Sequence, residues 1–422
     1  MSAARTPAVR LERLACVESC VAPGTRLHGA LAEAEPWLAE WLTTVAANGG
    51  ATSADLPLPH GVVPFAELPY FRPPGSHRCF YYSPPPSQAV VAFKGLEPCA
   101  SDFETLLAEL DRPCYSPHNI LEHFVFEEHK VPGCVTLFEA RREAARAVAL
   151  QTAHADAYGS LARLPLPLFV LAHSEQTVQR VTDTLRPLLS EAALVSLKPA
   201  LTTGLGVYVY YYPATPVRAR ELDTLLQGTD FRARTLSLLH TLGDPEEILG
   251  RWVQLFARML HLGFLPAALG SLRTGSCCQP QNACLDGGFV DLDSLTPFSD
   301  LPDDTAVYAA LELSTASLLE TVRTLVVGSL DPTRSEDVKV RVDLHHLRRY
   351  VLAAVERALV TEALPGREVD PRVTRYFTPA ASYAELVTQL NPYYGAPSPA
   401  FDAAARDYLE FGLERMAALR RS

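Results

Sequence analysis

The sequence predicts an α+β fold in two lobes, strand-rich in the first and mostly helical in the second. Three observations lead there. Between residues 64 and 216, short apolar and β-branched runs alternate with proline-rich turns. After Asp244, apolar residues recur at helical spacing: Ile248, Leu249, Trp252, Leu255, Phe256 and Met259. Asp286-Gly287 then separates two short apolar runs, the strongest short-range signal for a hairpin turn. The organisation expected is an N-terminal extension over 1–65, a strand-rich lobe over 66–216 and a helical lobe over 217–422.

In chain order, a helix is expected at 36–45, followed by a Gly, Pro and Ser loop around 49–59. Cys16 and Cys20, four residues apart, would share one face of a helix. Strands are expected at 78–82 and 89–93, and Ser101-Asp102-Phe103-Glu104 reads as a capping box. An Ala-, Arg- and Glu-rich helix covers 137 to about 154, with strands at 168–171 and 207–212. Pro213 and Pro216 end the last of these. Asp244-Pro245-Glu246-Glu247 combines an N-cap, proline at the first helical position and acids in the first turn, and Gly263 fits the C-cap. Further helices are expected at 306–327, 344–360, 383–390 and 403–420.

Composition narrows the function classes. The 422 residues are 48% hydrophobic and 20% charged, as in ordinary globular proteins. A formal charge of −11 argues against nucleic acid or an anionic membrane as partner. The pairs Arg141-Arg142 and Arg348-Arg349 read as solvated helix faces. No apolar run approaches the roughly 18 residues of a membrane helix. Arg5, Arg10 and Arg13 lack the apolar run of a secretory signal, and nine scattered cysteines suit a reducing cytoplasm. Cys114 with His118, His123 and His129, and Cys277-Cys278 with Cys284, lack the paired spacing of structural zinc sites.

The chemistry concentrates around the hairpin. If Asp286-Gly287 closes a two-residue turn, Leu285 faces Gly288, Cys284 faces Phe289, Ala283 faces Val290 and Asn282 faces Asp291. Opposed Cβ atoms then lie about 4.5–5.5 Å apart, so an amide oxygen and a carboxylate can share one hard cation such as Mg²⁺. Asp293 falls on the same face as Asp291 by strand alternation. A surface hairpin with polar ends is the alternative.

The order of these parts resembles that of a protein-kinase-like fold. Val90-Val91-Ala92-Phe93-Lys94-Gly95 looks like the kinase strand whose lysine holds nucleotide phosphates. Glu143 is placed like the helix glutamate that pairs with that lysine, and Glu139, one turn earlier, competes for the role. Taken singly, Lys94 also reads as an edge-strand lysine and Glu143 as a solvated helix residue. Gly75, in Pro73-Pro74-Gly75-Ser76-His77, is the single glycine where a phosphate loop would lie, and Pro213 to Pro216 would be the hinge that receives adenine. Over roughly the middle half of the chain, the resemblance is to selenoprotein O-like protein adenylyltransferases. It rests on the helix leading into Gly263-Phe264 and on the nine-residue step from Asn282 to Asp291. It implies ATP and Mg²⁺ as cofactors, Asn282 and Asp291 as metal ligands, and transfer of AMP to a protein or small-molecule acceptor. The chain departs from the pattern at Gln281, where that family has an acid, and at Cys277, where ordinary kinases carry the catalytic Asp. A catalytically inactive kinase-like binding protein is therefore the first alternative. An ATP-dependent carboxylate–amine ligase, a class with a Gln-Asn pair in its nucleotide site, is the second.

Overall fold

A long antiparallel sheet dominates the first half of the chain. The computed structural model describes residues 14–47, 55–58, 61–64, 79–83, 89–96, 134–187, 189–214, 216–222, 241–243, 245–268, 275–328 and 344–377. Gly75, Asp244, the box at 101–104, the Cys114–His129 cluster and the helices expected at 383–390 and 403–420 lie outside these residues. The chain divides into two units, one of residues 1–161 and 165–215, the other of 162–164 and 216–422.

The first unit contains β1 (Ala15–Ser19), α1 (Arg26–Ala34), α2 (Pro36–Ala47), β2 (Asp55–Leu58), β3 (Gly61–Pro64), β4 (Cys79–Tyr82), β5 (Val90–Lys94) and β6 (Val135–Thr136). It continues with α3 (Leu137–Tyr158), β7 (Leu166–Ala172), α4 (Glu175–Leu185), α5 (Glu191–Thr203) and β8 (Leu205–Tyr212). The main sheet runs β1-β7-β8-β5-β4, and β6 also pairs with β8. Every pairing in it is antiparallel. Side chains alternate across a strand. Phe80, Tyr82, Val91, Phe93, Val207, Val209 and Tyr211 thus join Leu31, Leu38 and Trp41 of α1 and α2 in one apolar cluster. Lys94 and Tyr208, which oppose each other in register, belong to the alternate set.

The N-terminal segment corrects the sequence reading. Ala15 to Ser19 pair with β7, so Cys16 lies in a strand and does not share a helix face with Cys20. Five residues that include Val17 gain a ladder of backbone hydrogen bonds at the sheet edge, whereas an isolated helix of that length is marginal. Burial pushes the Cys20 thiol up to about 12, which suits a packed cysteine rather than a reactive one. Helix α3 ends where Gly159 takes a left-handed conformation and donates to the Ala155 carbonyl. Helices α4 and α5, not anticipated from the sequence, close a small apolar cluster with Cys134 and Leu205.

The second unit is mostly helical, with α6 (Pro245–His261), α7 (Asp304–Gly328), α8 (Leu344–Thr361) and α9 (Pro371–Phe377). Short strand pairs also occur: β9 (Phe264–Leu265) with β12 (Thr296–Pro297), and β10 (Ala267–Ala268) with β11 (Gly275–Ser276). Helix α6 buries the apolar face read from its spacing, and Gly263 follows it at φ +84°. Arg258 meets Glu362 at 2.7 Å, and His261 Nε2 bonds the Leu359 carbonyl at 2.8 Å. Arg348 is not a solvated residue: it turns inward to Glu312, which also accepts from the Tyr376 hydroxyl at 2.6 Å, while Arg349 stays exposed. Arg142 likewise is half-buried, its guanidinium 5.7 Å from the Phe138 ring centroid. Among the described residues no helix is long and apolar enough to cross a membrane.

Asp370 precedes α9 and accepts from the Arg372 backbone N–H at 2.9 Å and its guanidinium at 2.7 Å. The Arg372 guanidinium holds the Asp370 carboxyl below its usual range, against a smaller opposing effect of burial. A carboxyl with a depressed folded-state pKa stabilises the fold above its unfolded pKa and loses that contribution as pH falls through the folded value. Asp370→Asn, which keeps an acceptor but removes the charge, should therefore cost about 1 kcal/mol at pH 7. Urea unfolding at pH 7 and again below pH 3 checks this, with the two proteins converging in acid.

Candidate functional site

In the first unit, Lys94 and Glu143 meet. Lys94 closes β5, between β4 and β8, and Glu143 lies in the second turn of α3. Nζ and Oε2 are 2.7 Å apart, with Lys94 7% and Glu143 1% exposed. Burying two charges is unfavourable unless they neutralise each other at close range, as these do. The competition between the glutamates is thereby resolved. Glu139 Oε2 accepts from the Thr136 N–H and hydroxyl, each at 3.0 Å, while Thr136 Oγ1 accepts from the Glu139 N–H at 3.1 Å. That is a capping box, and it commits the Glu139 carboxylate to the start of α3. The signature Thr136-x-x-Glu139 was present in the sequence and would have excluded Glu139.

In the second unit, the hairpin forms with a different register. Ala283 pairs with Phe289, Val290 N–H donates to the Asn282 carbonyl at 2.8 Å, and Cys284 N–H donates to the Gly288 carbonyl at 2.8 Å. Gly287 N–H donates to the Cys284 carbonyl at 3.0 Å, with Gly287 at φ +95°. The loop thus has three residues, Leu285 to Gly287, with glycine in the left-handed position that this loop type requires. Asp286 Oδ1 accepts from Gly288 N–H at 3.2 Å and steadies the turn. A Cβ on Gly287 would fall 2.4 Å from the Arg251 Cβ, so the loop packs closely on α6. The extra loop residue moves every partner by one: Asn282 faces Val290, not Asp291.

Asp291 has an unusual backbone. It stands at φ 62°, ψ 63°, the only non-glycine residue with positive φ among those described. Asp tolerates this region better than most residues, and such outliers concentrate at functional sites. A 3-10 turn over Leu292–Ser294 follows, so strand alternation does not relate Asp293 to Asp291 as expected. Both carboxylates are half-buried, and both lie within electrostatic reach of Cys277. Burial pushes that thiol well up, with Cys278, Asp293 and Asp291 adding to the effect. Asn282 is buried, and its Nδ2 donates to the Ser276 carbonyl at 3.4 Å, next to Cys277.

By type, an Asn amide oxygen and an Asp carboxylate are ligands for a hard cation, and Asn282 would offer its oxygen because Nδ2 is committed to the Ser276 carbonyl. Mg²⁺ is usually held by one or two carboxylates together with phosphates and water. Among the described residues no group of three or more His, Cys, Asp or Glu side chains is arranged to hold a metal ion. Cys277, Cys278 and Cys284 are all buried thiols.

Three supports went unread in the sequence. Trp252 Nε1 donates to the Cys284 carbonyl at 2.8 Å, and Arg163 Nη1 donates to the Asp286 carbonyl at 2.5 Å. His173 Nε2 bonds the Gly95 carbonyl, beside Lys94, at 2.9 Å. Single residues far apart in sequence leave no spacing signal.

Together these features define a mixed α and β protein whose main sheet is antiparallel, with a buried lysine–glutamate pair in one unit and an acidic hairpin in the other. Comparison with protein-family models, curated proteins and solved structures finds no match for the chain.

Proposed function

We propose that this chain is an ATP- and Mg²⁺-dependent transferase of kinase-like bilobal fold that moves AMP, or phosphate, from ATP to a protein or small-molecule acceptor. The buried contact of Lys94 with Glu143 carries the reading. An ammonium on a flexible stem is a poor phosphate ligand unless something fixes its direction, and a carboxylate at 2.7 Å does so. The lysine strand precedes the glutamate helix, β7 and β8 follow with α4 and α5 between them, and a helical unit comes last, an order of strands and glutamate helix that supports the same reading. Lys94 would grip phosphate oxygens, Glu143 would orient Lys94, and Asn282 and Asp291 would hold the metal. When bound, Mg²⁺ neutralises phosphate charge.

In adenylyl transfer the acceptor oxygen bonds the α-phosphorus, pyrophosphate leaves and the acceptor proton is released. The nine-residue spacing of Asn282 and Asp291 favours this over phosphoryl transfer. Cys277 does not serve as base, since burial keeps its thiol protonated near neutral pH. Such chemistry can proceed by positioning and charge neutralisation. Asp291→Ala should abolish transfer of label from ATP while leaving the thermal unfolding midpoint within a few degrees of wild type. Undiminished transfer in that variant would sink the assignment of the metal.

The Cys277 environment also supports a second reading, an inactive kinase-like binding protein. It predicts MgATP binding without any labelled product.

A further inference from the structure

Lys94 and Glu143 are 49 residues apart, yet both are anchored on one short stretch of β8. Lys94 opposes Tyr208 in register, and β6 continues along β8 where Val135 opposes Gly206 and Thr136 opposes Leu205. Leu137 N–H, at the first turn of α3, donates to the Gly204 carbonyl at 2.9 Å. Gly95, at φ +90°, approaches so closely that a Cβ there would sit 2.6 Å from the Gly206 carbonyl oxygen and 3.1 Å from Val135 Cγ2. The end of the lysine strand and the start of the glutamate helix therefore share one backbone support.

His173 joins the two sides of that support. Its backbone N–H donates to the Leu205 carbonyl at 2.9 Å, and its ring Nε2 lies 2.9 Å from the Gly95 carbonyl. A carbonyl only accepts, so Nε2 carries the proton and donates. Burial lowers the ring's pKa, which keeps it neutral at pH 7. Gly95 is held by no side chain of its own, and its left-handed backbone is one that glycine alone adopts at little cost.

We propose that His173 is a positioning residue for Lys94. By holding the Gly95 carbonyl against the Leu205–Gly206 support, it fixes where β5 ends and hence where the lysine stem begins. The ammonium is thereby kept on Glu143 whether or not a nucleotide is bound, and the pair is a standing phosphate grip rather than one assembled on demand. Its role in nucleotide binding rests on the reading of Lys94 given above, but its effect on Lys94 does not.

The test uses the full-length protein and two readouts. One is the rate at which an amine-acylating reagent modifies Lys94, followed by peptide mass spectrometry against the other lysine peptides. The other is MgATP affinity by calorimetry. His173→Phe keeps a ring and removes the donor. It should speed Lys94 acylation and weaken MgATP binding by about tenfold each, the size of one net hydrogen bond. His173→Gln, which can present an amide N–H at similar reach, should restore both. In a Glu143→Gln background His173→Phe should add little, because the two act on the same ammonium. If His173→Phe does not fold, His173→Asn replaces it, an amide one methylene too short. Unchanged Lys94 acylation in a folded variant, or failure of His173→Gln to restore it, overturns the proposal. If wild type binds no MgATP the proposed function fails, and the acylation rates still decide the role of His173.

Discussion

Glu143→Ala should destabilise the protein by about 3–5 kcal/mol, the usual cost of removing one partner from a buried ion pair. Lys94 is only 7% exposed, so its ammonium would lose the carboxylate at 2.7 Å without gaining water in exchange. Chemical denaturation monitored by circular dichroism gives the number directly. Two controls make it specific. Glu139→Ala, one turn away, removes a capping box and should cost about 1 kcal/mol. Lys94→Met combined with Glu143→Leu removes both charges and should be much closer to wild type than Glu143→Ala alone, since no charge is then left buried. A double variant as unstable as the single one would show that packing around Glu143, rather than charge, dominates.

Trp252→Ala should cost about 3–5 kcal/mol, as large-to-small changes of buried aromatics do. Trp252 is fully buried on α6, and its indole N–H bonds the Cys284 carbonyl, within the hairpin that leads from Asn282 to Asp291. Two effects are therefore joined in one residue, a cavity in the helical unit and a released hairpin. Trp252→Phe separates them, keeping most of the volume and removing the donor, for about 1–3 kcal/mol. Denaturant midpoints of the two variants measure the difference. Under the proposed function, Mg²⁺-dependent ATP binding should weaken in Trp252→Phe beyond what its stability explains, because the hairpin would lose its tie to α6.

The most strongly patterned elements are legible in the sequence, whereas helices α4 and α5, strand β1 and the hairpin register are not. Helix α6 showed in the spacing of Ile248, Trp252, Phe256 and Met259, and β8 in its β-branched and aromatic run, because periodicity reports burial directly. Strand β1 escaped notice because its partner β7 is about 150 residues away, and pairing at that range has no local signature. The hairpin was located but misregistered. Cys284-Leu285-Asp286-Gly287-Gly288 is compatible with a two-residue or a three-residue loop, and the bond from Cys284 N–H to the Gly288 carbonyl marks the three-residue form. The slip displaced Asn282 from Asp291 in the ladder, and the left-handed backbone at Asp291 could not be read from residue type. Lys94 and Glu143 were found as a pair because strand and helix were each recognisable. Choosing between Glu139 and Glu143 needed only the capping signature at Thr136, a local rule that was available.

The proposed function makes MgATP the donor. It is tested most directly by incubating wild-type protein with Mg²⁺ and ATP labelled separately at the α- and γ-phosphate, with lysate protein as acceptor. The proposed function predicts label on protein from the α-position alone if AMP is moved, or from the γ-position alone if phosphate is, lost in either case when Mg²⁺ is chelated and in Asp291→Ala. Label from neither position, in protein that is folded and binds ATP, would contradict it and leave the inactive binding protein as the reading to pursue.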